Sequence, residues 1–500
     1  MAMATARGQL VLGLATMVSV ALVGQHIAQA AGVVGTGTPA SCTDAALNTA
    51  LTGGGLVTFD CGVGAVSIDI SPGAGGTGTK TISSDTTIDG GGVITISGGH
   101  SVRVFSVNIG VTFTVQNLTI ANGNSASGDG GGIYNGGTLM VTNSTFSGNS
   151  AANTGGGISN NGIGTVTNST FSGNGARSGG GIFNNYSYGG MLTVTNATFS
   201  GNSVGNDGGG IYNGGTLTIT TSTFSGNSAN NGGGIWSGST YTDGLTVTNG
   251  TFAGNSASGS GGGIFNYYFA LTVINSTYAG NSAGKDGGGI HTTGIWSNGT
   301  VTVTNSTFAG NSASGNGGGI GTGVIYSGGT LTITNTIVGK STSGGNCLGG
   351  VTDGGHNIDD GTSCGFSTAN GSLNSTDPKL DPAGLKSNGG PTQTIALCTG
   401  SGTPASCAGA SPAIDAGDDA VTGPPDNLIT DQRGLPRKWG AHVDIGAFEV
   451  QQRGTAAPAI SLAALLALAV LLSAAGWLRL QPSHPMAFVR RDPPRPVRKP

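Results

Sequence analysis

Charge is scarce in this 500-residue chain: Asp, Glu, Lys and Arg together make up 8% of it, and Glu449 is the sole glutamate. An average soluble domain carries roughly three times as much. Between positions 130 and 340 the only charged residues are Arg177, Asp207, Asp243, Lys285, Asp286 and Lys340. Glycoside hydrolysis needs two neighbouring carboxylates, and polysaccharide lysis needs a base with cation-binding acids, so the shortage argues against both. With a formal net charge of −4 and its Lys and Arg scattered, the body lacks the basic footprint that nucleic acid requires. No Cys-x-x-Cys occurs, and His100, His291, His356 and His442 are far apart, which leaves little for a zinc site.

What is abundant is glycine, 99 residues, beside 17 prolines. That level favours disorder unless a repeat organises it, and a repeat is present. Gly-Gly-Gly-Ile occurs eight times, starting at Gly130, Gly155, Gly179, Gly208, Gly232, Gly261, Gly287 and Gly317, at intervals of 24 to 30 residues. Each copy is followed by a stretch such as Leu217-Thr218-Ile219-Thr220 and then Ser222-Thr223-Phe224-Ser225-Gly226-Asn227. Apolar and small polar residues alternate there with the period of half-buried strands. Units this short have no room for a helix beside their strands, so the fold class is all-β: a right-handed, single-stranded parallel β-helix with about three short strands per turn.

Stacking would bury Ile133, Ile158, Ile182 and their successors as one column. Phe146, Phe171, Phe199, Phe224, Phe252, Tyr278 and Phe308 would form another. The constant spacing from each ring to Asn149, Asn174, Asn202, Asn227, Asn255, Asn281 and Asn311 predicts asparagine at strand corners, where it tolerates the left-handed backbone and its amides can ladder. The glycine triplets would supply positive φ and close packing. A phosphate-cradling loop would need a following helix and usually a lysine, and no copy has them.

The termini point to export. Arg7, the apolar run 10–23 and Ala28-Gln29-Ala30 have the layout of a signal peptide over 1–30. An uncharged apolar run at 458–478 is long enough to span a bilayer as a helix, and the 453–478 segment is read as a C-terminal transmembrane anchor. The tail, 479–500, carries Arg479, Arg490, Arg491, Arg495, Arg498 and Lys499 against Asp492. The positive-inside rule therefore places it in the cytoplasm and the body outside, as a single-pass protein of the cell surface or envelope. Six cysteines suit an oxidising compartment. They allow fifteen connectivities, and the expected one is local: Cys42 with Cys61, Cys347 with Cys364, Cys398 with Cys407.

The longer repeats insert aromatic residues between the Gly-triplet strand and the next: Tyr186, Tyr188, Trp236, Tyr241, Tyr267, Tyr268, Trp296 and Tyr326. Stacking would align them along one edge as a candidate strip for a glycan or protein ligand, or as a cover over exposed strand edges. Asp129, Asp207 and Asp286 each precede a triplet and read as turn caps. No cofactor is expected. The cluster Asp415, Asp418, Asp419, Asp426, Asp431 and Asp444 makes calcium the one structural ion to consider. Arg433 is expected to form a buried ion pair with Asp444 and Glu449 that closes the last turn.

The pairing of Gly-Gly-Gly-Ile with Phe-Ser-Gly-Asn, continued by Phe-Ala-Gly-Asn and Tyr-Ala-Gly-Asn, resembles the GGAI/FxxN repeats of polymorphic outer-membrane proteins. Asn346-Cys347, Gly355-His356-Asn357-Ile358, Asn388-Gly389-Gly390-Pro391-Thr392-Gln393, Asp431-Gln432-Arg433-Gly434 and Asp444-Ile445-Gly446-Ala447-Phe448-Glu449 resemble a choice-of-anchor Q domain. The two cover about residues 80 to 450 and imply an exported β-helix of pectin-lyase-like type, defined by architecture more than by a reaction. Polymorphic outer-membrane proteins carry a C-terminal β-barrel translocator, whereas the pattern here is one apolar run followed by a basic tail, so a helical anchor is expected in place of outer-membrane insertion. The expected organisation is a signal peptide (1–30), an N-terminal cap (31–78) with a short helix near 44–51, β-helix repeats (79–345), a choice-of-anchor Q-like closing domain (346–452), the anchor (453–478) and the tail (479–500). The expected function is surface display or adhesion, with the membrane and a surface glycan or protein ligand as partners. A carbohydrate-active enzyme of the same fold and a purely structural envelope protein are the alternatives.

Overall fold

The computed structural model describes residues 30–185, 190–238, 244–268, 270–295, 299–326 and 328–451. All but Ala30 of the expected signal peptide, the whole 453–478 anchor and the basic tail lie outside these residues, as do Tyr186, Tyr188, Tyr241 and Trp296. Among the described residues no helix is long and apolar enough to cross a membrane.

Each turn follows one path, illustrated by the turn that begins at Gly208. Ile211–Asn213 enters an 11-stranded sheet, here sheet III. Thr216–Thr220 and Thr223–Ser225 enter a 23-stranded sheet I on either side of a corner at Thr221. Ser228–Ala229 enters an 8-stranded sheet II, and the next glycine triplet follows. Pairing is parallel and in register, Ile182 to Ile211 to Ile235 and Phe199 to Phe224 to Phe252. The result is an all-β parallel solenoid of about twelve turns. Parallel pairing begins where Ala30–Val34 meets Gly55–Phe59 and runs on to Ile358–Asp359, so it extends on both sides of 79–345. The helix Asp44–Leu51, capped by Thr43, packs on the first strand and buries Leu47 and Ala50.

Inside, the rings from Phe146 to Phe308 stack face to face, 4.6–4.8 Å between centroids and within 7° of parallel. Beside them the asparagine column forms the expected amide ladder. Asn202 Nδ2 donates to Asn227 Oδ1 at 2.9 Å and to the Phe171 carbonyl at 3.0 Å, while Asn202 N donates to the same Oδ1. Full pairing is what allows amides to be this deeply buried. These asparagines do not take the left-handed backbone, however. Glycines just before them do, such as Gly226 (φ 61°), and so does a second asparagine column at the sheet I corner, including Asn143, Asn168 and Asn196 (φ 49° to 50°). Within a triplet only the first glycine needs positive φ: Gly232 has φ 64°. A Cβ on Gly233 would lie 2.4 Å from the Ser256 carbonyl and one on Gly234 2.6 Å from that of Gly263, so these two are glycine because successive turns touch there.

The disulfides are the local ones, Cys42–Cys61, Cys347–Cys364 and Cys398–Cys407. Residues 388–450 do not continue the stack; they fold back over the outside of sheet I. Thr251 Oγ1 donates to the Gln393 carbonyl and Thr277 Oγ1 to Gln432 Oε1, both at 2.6 Å, and Ala447 N donates to Thr307 Oγ1 at 3.0 Å. The repeats mark the covered turns: outward Ser147, Ser172, Ser200 and Ser225 give way to Ala253, Ala279 and Ala309. Ala279 and Ala309 pack against a second apolar core that holds Ile337, Ile358, Leu397 and Ile445. The arginine expected to close the last turn therefore lies beside the solenoid, next to a Gln432 that reaches back to Gly250.

Candidate functional site

In sheet III each repeat contributes Ile-X-Asn or a close variant. Strand alternation turns Ile and Asn inward and X outward, and register aligns X as one outer column: Tyr134, Ser159, Phe183, Tyr212, Trp236, Phe265, His291. Phe183 and Tyr212 stack at 4.6 Å and Tyr212 and Trp236 at 4.2 Å, each pair 12° from parallel. Phe265 and His291 stack at 5.4 Å. Burial brings the His291 imidazole down to about 4, although Asp286 pulls the other way, so it is neutral near pH 7 and the column carries no charge.

Rings stacked in this way cover each other's faces and offer edges outward. A free face occurs where the column is interrupted, and small, buried Ser159 separates Tyr134 from Phe183. Two rungs of about 4.8 Å each set those rings roughly 10 Å apart. Next to Tyr134 an open groove of about 630 Å³ is lined by Ser106, Asn108, Ile109, Gly136 and Asn161, with Tyr134 itself as one wall. The Tyr134 hydroxyl accepts from Asn161 Nδ2 at 2.8 Å, and Asn185 holds Asn161 in turn at 2.8 Å. The Arg103 guanidinium sits 5.2 Å over the Tyr134 ring and is tied to the carbonyls of Asp129 and Gly130.

Of the aromatic strip expected from the sequence, four members lie among the described residues. Trp236 stands in the sheet III column and not on an insertion. Tyr267 ends the strand Ile264–Tyr267, 6.4 Å from Phe265, and hydrogen-bonds Tyr268. That bond, with lesser help from burial and from Tyr268 and Tyr326, holds the Tyr267 phenol above its ordinary pKa. Tyr134, Phe183, Tyr212 and Phe265 were overlooked in the sequence, although each directly follows a motif isoleucine.

The acids before the triplets bridge turns. Asp129 Oδ1 accepts from Thr154, Asp207 Oδ1 from Asn231 and Asp286 Oδ1 from the Asn316 amide. Neighbours among them stand three rungs apart, about 14 Å, beyond the separation of a glycosidase carboxylate pair.

The expected ion pair is corrected. Arg433 bonds Asp431 at 2.6 Å, lies 3.7 Å over the Phe448 ring and donates to the Glu449 carbonyl oxygen, not to its carboxylate. The arginine facing Asp444 and Glu449 is Arg437, fully buried, with Nη2 on the Gly446 carbonyl. Both acids are held by backbone: Asp444 by Asp415 N at 2.7 Å and Val450 N at 2.6 Å, Glu449 by Asp444 N at 2.8 Å and Trp439 N at 3.2 Å. Of the acids considered for calcium, Asp419 pairs with Lys438 and His442, and Asp418 caps Ala420 N. Among the described residues no three His, Cys, Asp or Glu side chains converge on a metal-sized site.

Burial dominates the titration of this cluster, pushing Asp444 up to about 6 and Glu449 up to about 8 against their backbone donors and Arg437. The folded chain then keeps protons that the unfolded chain releases, so the contribution of these two groups to stability is full below about pH 4 and is lost as pH rises through 6 and 8. The 388–450 region should melt at a lower temperature at pH 9 than at pH 5. Glu449→Gln should flatten the upper part of that dependence; an unchanged melting profile in the variant would reject the assignment.

A family model described as the Chlamydia polymorphic membrane protein repeat matches residues 196–214 and 221–238, two successive stretches that run from the sheet I corner to the sheet III strand and include Tyr212 and Trp236. No curated protein and no solved structure matches the chain.

Proposed function

We propose that this is a surface-displayed β-helix protein that binds an uncharged glycan along the outer face of sheet III. One observation carries the reading: the register-aligned rings Phe183, Tyr212 and Trp236, continued past Ser159 to the Tyr134 groove. Ring edges and faces beside Asn and Ser groups suit a ligand that is apolar on one side and hydroxylated on the other. Apart from Arg103, which is tied to the Asp129 and Gly130 carbonyls, the lining is neutral and fits an uncharged ligand. The polymorphic membrane protein repeats support display outside the cell, as do the export-like N-terminus, the basic-tailed apolar run at 458–478 and the resemblance of 346–452 to a choice-of-anchor Q domain. The solenoid is taken as right-handed, because parallel crossovers almost always are.

The test is a glycan array with the purified protein, scored for both binding and cleavage. Saturable binding without product release is expected. Tyr212→Ala combined with Trp236→Ala should weaken it about tenfold, roughly 1.4 kcal/mol. Binding that survives the double variant intact would move the site elsewhere, and released oligosaccharides would replace the reading with an enzymatic one.

A further inference from the structure

The longer sheet I strands present a different outer surface. In Thr216–Thr220 the side chains of Leu217 and Ile219 point inward and those of Thr218 and Thr220 outward. Register repeats this Thr-x-Thr from turn to turn. The column from Thr165 to Thr332 is threonine at every rung, and the column two residues along, from Thr142 to Thr334, is threonine except at Ile274. None of these threonines is buried. The 388–450 region bonds to the shorter sheet I strands and the corner, at Thr251, Thr277, Thr307 and Asn335, and leaves the Thr-x-Thr face open.

The array repeats about 4.8 Å across the strands and about 6.6 Å along them. Backbone pairing to both neighbours fixes it. Each point but Ile274 carries one methyl, which orders adjacent water, and one hydroxyl, which donates to and accepts from it. Among the described residues, no charged residue, whose own hydration would disturb that order, stands in these strands on this face between Thr138 and Thr334, and no aromatic ring does either. Ordinary exposed strands mix in lysine, glutamate and arginine. The two repeats are close to those of a prism face of hexagonal ice.

We propose that the Thr-x-Thr face of sheet I binds ice, as an activity separate from the sheet III site. Water held over the array in ice-like order joins the crystal surface, and growth there is blocked. A crystalline polysaccharide is the competing ligand for a flat regular face, but it is gripped by ring stacking, and the stacked outward-facing rings of the described residues lie on sheet III.

The test uses the full-length protein in assays of ice recrystallisation and ice-crystal shaping, with microcrystalline cellulose and chitin as parallel probes. Wild type should inhibit recrystallisation and facet the crystals. Thr193→Lys with Thr246→Lys, two rungs apart so that the charges are not opposed, should raise the concentration needed at least tenfold. Thr193→Tyr with Thr246→Tyr, which keeps strong strand formers, should do the same, while Trp236→Ala should change nothing. No ice activity in the wild type, equal activity in both folded double variants, or adsorption to cellulose or chitin without an effect on ice would each overturn the proposal.

Discussion

Phe224→Ala is expected to cost about 3–5 kcal/mol of stability. Phe224 is fully buried and stacked at 4.7 Å on Phe199 and 4.8 Å on Phe252. Truncation removes both contacts, and the cavity cannot collapse because the flanking backbones are fixed by ladder hydrogen bonds and by the Asn202 to Asn227 amide pair. A solenoid couples only neighbouring turns, so the damage should be local. Hydrogen exchange should accelerate in the turns of Phe199 and Phe252 while the turns near Phe146 keep their protection. Uniform acceleration along the whole chain would show that the turns unfold as one unit. Phe224→Leu, which refills most of the volume, should recover more than half of the loss.

Arg437→Ala should release the fold-back region. Its guanidinium is fully buried and donates to the carbonyls of Gly446 and Asp444, so truncation leaves a large cavity and two orphaned carbonyls, a cost of about 3 kcal/mol. Segment 388–450 should become sensitive to limited proteolysis, and the buried Thr251, Thr277 and Thr307 would be exposed with it, while the far-ultraviolet signal of the solenoid persists. Arg437→Lys should not rescue, since a point charge cannot replace a planar guanidinium among carbonyls and carboxylates. A variant as resistant as wild type would mean that the apolar core around Ile337 and Ile445 holds the region alone.

The solenoid was legible because its signals are local and repeated. Alternation in Leu217-Thr218-Ile219-Thr220 sets which side chains turn inward, and the spacing of the triplets sets the rung. The Asn149 ladder follows from that spacing, and the disulfide pairs from the closeness of their cysteines in sequence. The outer ring column was equally present, one residue after each motif isoleucine, but the varied residues there, Tyr134, Ser159, Phe183 and Tyr212, hid a constant position behind a changing identity. The switch from Ser225 to Ala253 likewise marked where a covering segment begins, but only once that segment is seen.

Other features had no local signature. Nothing near Arg433 tells whether it meets Asp431, two residues away, or Asp444; burial of Arg437 and the backbone donors to Asp444 and Glu449 settle it. The direction of 388–450 is set the same way, by Gln432 and Gln393 reaching Thr251 and Thr277 across more than 140 residues. The sequence by itself determined the repeat, the strand alternation, the inner columns and the disulfides, because each depends on residues one turn apart at most. Only the tertiary structure decided which acid partners which arginine, which half of sheet I is covered, and which outer columns align into a surface, because those outcomes depend on competition among distant groups for one buried space.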